Sequence, residues 1–256
     1  RFWGVRGSVP TPGPATVRFG GNTACVEVRS GREIIVLDAG TGLRPLGQSL
    51  LAEFEGQPLR LTVLLTHTHW DHIQGLPFFG PVYQAHNQLR ILGYKGARRG
   101  LRHILSGQME NPFFPVGLQE VSANVSIEEL KTLDFRLGSV RVQACPANHP
   151  GTCVGYRLSA RDGSVAFFPD NELRPRKSAL PGQGQILDFV RGVDVLIMDA
   201  QYDRQEYQAH RGWGHGCVDE VVELALAAGV KRLFLFHHDP NHDDAKVGRM
   251  VAHGRK

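Results

Sequence analysis

Short apolar runs rich in β-branched and aromatic residues recur along the chain at 24–28, 34–37, 61–65, 140–144, 165–168, 193–198 and 232–236, and each predicts a strand. Helical spacing follows some of them, at 46–54, 101–106 and 218–228. The last is the clearest: Val221, Val222, Leu224, Ala225 and Ala228 share one face, and Gly229 supplies a stop. The mixture predicts an α/β or α+β fold with room for two sheets. No internal repeat, low-complexity tract or linker divides the 256 residues, so one domain over 1–256 is expected. The one oddity is 94–123, where Lys95, Arg98, Arg99 and Arg102 give way to Met109, Pro112, Phe113, Phe114 and Pro115. It reads as a lid or substrate wall, or equally as a surface excursion closing on its own small cluster.

Composition adds bounds. With 41% hydrophobic and 21% charged residues the chain has ordinary globular make-up and apolar material for a large core. A net charge of +4 favours anionic ligands without demanding a nucleic-acid polymer. Cys25, Cys145, Cys153 and Cys217 are widely spaced and form no Cys-x-x-Cys pair, which argues against a zinc knuckle or a disulfide framework and for a reducing, cytoplasmic setting. No apolar run approaches about 18 residues and no signal-peptide pattern opens the sequence, so neither membrane insertion nor secretion is supported. The chain opens at Arg1, which leaves open whether further residues precede it.

The chemistry concentrates at Thr66-His67-Thr68-His69-Trp70-Asp71-His72, directly after the run 61–65. Neutral imidazoles and a carboxylate are the donors that Zn²⁺ or Mn²⁺ accept, and a rigid strand end can point several of them to one place. Spacing by two sets His67 and His69 on one side, while Asp71 and His72 reach elsewhere, so two neighbouring sites are expected. Exposed histidines clustered by chance are the bland alternative, but crowded imidazoles repel one another when protonated. Further candidates follow later strands: His149 after 140–144, Asp170 after 165–168 and His237 after 233–236. Singly, each could be a core histidine or a turn aspartate. Asp38 and Asp199 end apolar runs, either to orient ligand imidazoles or only to cap turns. His86, His103, His210, His242 and His253 show no such pattern and receive no role.

With these residues in hand, the chain resembles the metallo-β-lactamase superfamily, in the branch of ribonuclease Z and class II cyclic-nucleotide phosphodiesterases. The family's His-x-His-x-Asp-His is present as His67, His69, Asp71 and His72, followed by Gly75-Leu76-Pro77. Gly7-Ser8-Val9-Pro10-Thr11-Pro12 and Leu37-Asp38-Ala39-Gly40 look like that branch's opening. His149 with Gly155-Tyr156, Asp170 in Phe-Pro-Asp, His215 in Gly-His-Gly and His237 in Leu-Phe-His-His match its later motifs in order. The resemblance implies an αββα sandwich of two mixed β-sheets flanked by helices. It implies two divalent ions, Zn or Mn with Fe admitted, one on His67, His69 and His149, the other on Asp71, His72 and His237, with Asp170 bridging. His237 is chosen over His238 by counting from the preceding strand.

The implied reaction is hydrolysis by a hydroxide shared between ions about 3.5–4 Å apart, oriented by Asp71, with His215 protonating the leaving alkoxide. His215 precedes the helix 218–228, whose first-turn amides could help hold phosphate. In the bland reading it is a loop or capping histidine. The favoured substrate is a small phosphodiester such as a 3′,5′-cyclic nucleotide, because no long Gly/Pro-rich tRNA-gripping arm stands out in the sequence. Trp70, Phe113 and Phe114 could stack on a base or simply pack. An RNA 3′-processing endonuclease, a thioester hydrolase of the glyoxalase II type and a non-catalytic metal-binding module stay open. A homodimer is expected by the same resemblance.

Overall fold

All seven apolar runs form strands, and they belong to two six-stranded sheets, one in each of two units of the chain. The computed structural model describes residues 1–94, 100–174 and 182–255. The first unit holds Arg1–Gly4 and Asn22–Lys131. Its elements are β1 (Phe2–Gly4), β2 (Cys25–Ser30), β3 (Glu33–Leu37), α1 (Leu43–Phe54), β4 (Arg60–Leu65), α2 (Trp70–Ile73), β5 (Gln88–Gly93), α3 (Leu101–Gly107) and β6 (Asn124–Glu129). The strands lie in chain order, antiparallel from β1 to β3 and parallel from β3 to β6. Ile35, Val36 and Leu37 of β3 are fully buried, as are Val63 and Leu64 of β4, which is why these central strands read as unbroken apolar runs. Leu43, Leu46 and Leu50 of α1 pack into the same core as Leu101 and Leu105 of α3.

Strands β1, β5 and β6 of this sheet escaped the sequence pattern, β1 being only three residues long. In β5, buried Leu89 and Ile91 alternate with exposed Gln88 and Arg90, a sign the apolar-run criterion overlooks. Strand β6 is half-exposed at the sheet edge, and Glu128 there pairs with Arg90 at 2.9 Å. The excursion 94–123 divides in character. Lys95, Arg98 and Arg99 lie outside the described residues. Met109 is buried in the core, Phe114 packs edge-on against Phe78 at 5.5 Å, and Phe113 points outward, 78% exposed.

The second unit holds Val5–Gly21 and Thr132–Lys256. It contains β7 (Asp134–Leu137), β8 (Val140–Pro146), β9 (Val154–Ala160), β10 (Gly163–Phe168), α4 (Gln183–Val190), β11 (Val195–Asp199), α5 (Arg204–His210), α6 (Val218–Ala227), β12 (Leu233–Phe236) and α7 (Asp244–His253). Strands β7 to β10 form an antiparallel meander, and β11 and β12 add in parallel beyond β10. Ile186 and Val190 of α4 meet Val218, Val221 and Leu224 of α6 in one core. Helix α6 ends as expected: Gly229 adopts φ 64°, a left-handed turn that costs glycine little. The run 193–198 begins two residues late as a strand, because Val193 closes the turn after α4, its N–H on Val190 O.

Buried Arg6 ties the unit's first segment to its last turns, donating to Gly20 O at 2.8 Å and His242 O at 2.6 Å. Beside it Gly7 N donates to His238 O and His238 N to Val5 O, both at 3.0 Å, which lays Gly7 against the exit of β12. All four cysteines are free thiols. Among the described residues no helix is long and apolar enough to cross a membrane.

Candidate metal centre

In the first unit the ligand run leaves β4 and turns at once into α2, so backbone geometry fixes where each side chain goes. Asp38 makes this turn rigid. It follows β3 in a left-handed conformation (φ 61°), donates its N–H to Leu64 O, and accepts Thr66 N at 2.8 Å and Thr66 Oγ1 at 2.9 Å. Gly40 and Gly75 complete the cradle: a Cβ on Gly40 would lie 2.2 Å from Asp71 O, and one on Gly75 2.0 Å from Gly40 O. The rings of His67 and His69 meet edge-on at 4.5 Å, and those of His67 and His72 lie 4.2 Å apart. His72 Nε2 is 3.1 Å from Asp71 Oδ2.

In the second unit Asp170 stands at the end of β10 and gathers three histidines from three loops. Its carboxylate oxygens lie 3.6 Å from His149 Nε2, 3.3 Å from His237 Nε2 and 3.9 Å from His215 Nδ1. His149, Asp170 and His215 each offer a ligand atom within 4.8 Å of the others, as do Asp199, His215 and His237. Asp170, Asn171 and Glu172 hold different pieces of this arrangement. Asn171 Oδ1 accepts Asn148 N at 2.9 Å, which places the loop carrying His149, and Asn171 N donates to Asp199 at 3.1 Å. Glu172 accepts the N–H groups of Gly212 and Gly214, the residues leading to His215.

The hydrogen bonds decide the tautomer of four imidazoles. His72 Nδ1 donates to Asp38 Oδ2 at 2.8 Å, and His149 Nδ1 to Gly214 O at 3.0 Å; a carboxylate and a carbonyl only accept. His237 Nδ1 donates to Gln201 Oε1 at 3.0 Å, an oxygen identified by Gln201 Nε2 giving its own proton to Asp239. His67 Nδ1 donates to Thr66 Oγ1 at 3.0 Å, whose own proton goes to Asp38. Each ring therefore carries a proton on Nδ1, which turns Nε2 away from that partner as the atom able to ligate. In His72, His149 and His237 Nε2 faces a carboxylate oxygen, at 3.1, 3.6 and 3.3 Å, so nitrogen and oxygen donors lie side by side where a cation would be held. Nitrogen and carboxylate donors oriented by hydrogen bonds to the far ring nitrogen are the chemistry of a zinc or manganese site, so the residues fit the implied metals.

His215 is built in the same way. Its Nδ1 donates to Asp199 Oδ2 at 2.9 Å, its ring stacks on His237 at 4.9 Å, and its side chain keeps slight exposure. The helix behind it cannot hold phosphate as expected: Val218 N donates to Tyr202 O, and Asp219 and Glu220 occupy the first turn of α6. Asp38 and Asp199 both fix turns and both orient imidazoles. Burial pushes the Asp38 carboxyl above the usual carboxylate range, opposed by His72 and Thr66. His238 goes elsewhere: its ring meets Phe19 at 6.0 Å, and burial, with Arg6 nearby, pushes it down to about 3. His210 stacks on Tyr202 at 4.5 Å, and His242 and His253 bond Glu206 and Asp219.

Trp70 lies 77% exposed on α2, and Phe113 is equally open, whereas Phe114 is half core. The sequence reading passed over Glu172 and Gln201, placed by long-range contacts that no local spacing signals, and gave no separate role to Thr66 or Gly7, which it met only within longer motifs. It also passed over Trp213, 60% exposed and two residues before His215, with His210 edge-on at 4.7 Å.

A family model described as the beta-lactamase superfamily domain matches residues 33–238. The chain is similar to a ribonuclease Z of Picrophilus torridus, 24% identical over an alignment that covers 96% of this chain and 87% of the relative. Its fold is similar to the metallo-beta-lactamase fold protein YhfI from Bacillus subtilis, with TM-score 0.70 and 18% identity over 98% of this chain and 91% of that one. It is also similar to a diphosphatase from the PhnP family, with TM-score 0.64 and 19% identity over 97% and 89% of the two chains. The two mixed sheets with their helices are thus the metallo-β-lactamase fold. The family match and the histidine and aspartate donors lead to one conclusion: this chain belongs to the beta-lactamase superfamily, with the His/Asp metal site of a metal-dependent hydrolase.

Proposed function

We propose that the chain is a phosphodiesterase working with two divalent cations on a small diester of the 3′,5′-cyclic nucleotide kind. The observation that carries this reading is the shared orientation of His67, His72, His149 and His237, each with Nδ1 hydrogen-bonded to a fixed partner within the protein. In this reading His67, His69 and His149 would hold one ion and Asp71, His72 and His237 the other, with Asp170 available to either. When bound, the ions acidify a water and offset negative charge on the attacked phosphoryl group. Asp71 accepts a hydrogen bond from that water and so orients it. His215 gives a proton from Nε2 to the leaving alkoxide, while Asp199, on its Nδ1, stabilises the imidazolium that must precede transfer.

Two features favour a small substrate: the exposed rings of Trp70 and Phe113, which suit a single base, and the absence from the sequence of a long Gly/Pro-rich arm. The second reading, RNA 3′-processing, draws on relatives named ribonuclease Z. A substrate panel on metal-free and Zn²⁺- or Mn²⁺-reconstituted protein separates the readings. Turnover of bis(p-nitrophenyl) phosphate and cyclic nucleotides, restored by metal, is the expected result. Cleavage of precursor tRNA with steep salt dependence would transfer the assignment to an endonuclease. Activity on S-lactoylglutathione alone would mark a thioesterase, and metal binding without turnover a binding module. Light scattering on the same samples reads the proposed homodimer, and fractionation the proposed cytoplasmic location.

A further inference from the structure

Glu172 is a buried carboxylate with no assigned part in the chemistry, yet its bonds all lead to it. Its two oxygens accept Gly212 N at 2.9 and 3.0 Å, Gly214 N at 3.1 Å and the Tyr207 hydroxyl at 2.9 Å. Its own N–H donates to Asn148 O at 2.9 Å, beside His149. Gly214 in turn presents the carbonyl that holds the His149 Nδ1 proton, and has no room for a side chain, since a Cβ there would lie 2.7 Å from that Nδ1. The next residue is His215.

We infer that Glu172 is a positioning residue: by fixing the backbone of 212–214 it sets the tautomer of His149 and the place of His215. A carboxylate suits the task because it only accepts, and three separate donors converge on it. Without it the 212–214 backbone loses two anchors at once, and the carbonyl of Gly214 can swing off the His149 ring. The inference rests on the metal-site reading for its functional consequence, though the tautomer itself can be read without metal.

The test uses Glu172→Gln, Glu172→Ala and Tyr207→Phe. Long-range ¹H–¹⁵N correlation spectra of the metal-free proteins report which nitrogen of His149 carries the proton, and steady-state assays with Mn²⁺ and bis(p-nitrophenyl) phosphate report kcat and KM. Glutamine replaces one accepting oxygen by a donor. It is expected to move the His149 signals toward a tautomer mixture and lower kcat roughly 3- to 10-fold, with KM within about two-fold. Alanine, if it folds, goes further. Tyr207→Phe leaves both glycine contacts intact and is expected to match wild type. Glutamine and tyrosine variants that lose equal activity, or a glutamine variant with unchanged His149 signals and kcat, overturn the inference. A wild-type protein that turns over no diester sinks the phosphodiesterase reading instead, and leaves the spectra to judge Glu172.

Discussion

His72 and Asp38 face each other at 2.8 Å with both side chains fully buried, and this one contact fixes the direction in which His72 can bind a metal. Asp38→Asn tests it. Asparagine tolerates the left-handed backbone at 38, but its amide can serve either Thr66 or His72 with an oxygen, not both. A ring forced to carry its proton on Nε2 is no longer a ligand. Metal affinity, measured by calorimetry, is expected to fall about 10- to 100-fold while the circular dichroism spectrum is retained. Unchanged affinity would remove the argument from tautomers.

Gly7→Ala tests a histidine of the second unit, to which Gly7 itself belongs. A Cβ at position 7 would lie 2.3 Å from His237 Nδ1, which Gln201 holds in place. The ring has to shift, at a cost of about 1–3 kcal/mol for overpacking. Elemental analysis is expected to show loss of metal in a protein that remains folded.

His215→Ala separates acid catalysis from metal holding. For a cyclic nucleotide, with its poor alkoxide leaving group, kcat is expected to fall about 10²- to 10⁴-fold. For bis(p-nitrophenyl) phosphate, whose leaving group needs no proton, the fall should be far smaller. Equal losses on both substrates, with metal content reduced, would make His215 a ligand instead.

The aromatic residues of the first unit divide by packing. Phe114→Ala should lower thermal stability, by less than the ~3–5 kcal/mol of a fully buried phenylalanine, because Phe114 is only partly buried against the core and its ring meets exposed Phe78. Phe113→Ala should leave stability within ~0.5 kcal/mol. If a base stacks there, KM for nucleotides rises roughly ten-fold, since such contacts contribute ~1–3 kcal/mol. Unchanged KM for every accepted nucleotide would end the stacking idea.

An acid limb of stability follows from Asp194. The Lys231 ammonium, with Ser164, holds its carboxyl at about 2. A folded-state value below the unfolded one means that the contribution is complete above about 3.8 and is lost as pH falls through about 2. Thermal melts of Asp194→Asn should therefore depend less on pH between 4 and 2 than those of wild type, and added salt should shrink the difference.

Much of this was legible in the linear order, for a physical reason. Central strands buried on both faces, such as 34–37 and 61–65, need continuous apolar runs, and the proposed ligands His67, His69, Asp71, His72, His149, Asp170 and His237 all follow the ends of strands that the sequence predicts. Half-exposed strands such as β6 and β7 carry no such signature. Nor does β9, where Arg157 and Ser159 face outward and Gly155 makes way for the Phe168 ring. The capping box Asp203 to Glu206 that opens α5 was a readable sign overlooked. Asp38 and Asp199, at the ends of apolar runs, were legible as partners of the imidazoles, whereas Gln201 stayed hidden because its meaning lies in a contact with His237, 36 positions away.

The pinning of Gly212 and Gly214 has a consequence for how such a protein changes its preferences. Trp213 sits between them, yet its own N–H goes to His210 O and its ring lies 60% exposed with His210 edge-on beside it, so Glu172 bonds its neighbours and not Trp213 itself. Position 213 is an exchangeable slot: new shapes can be grafted there to greet new substrates, while the two flanking glycines keep the neighbouring histidines where they are.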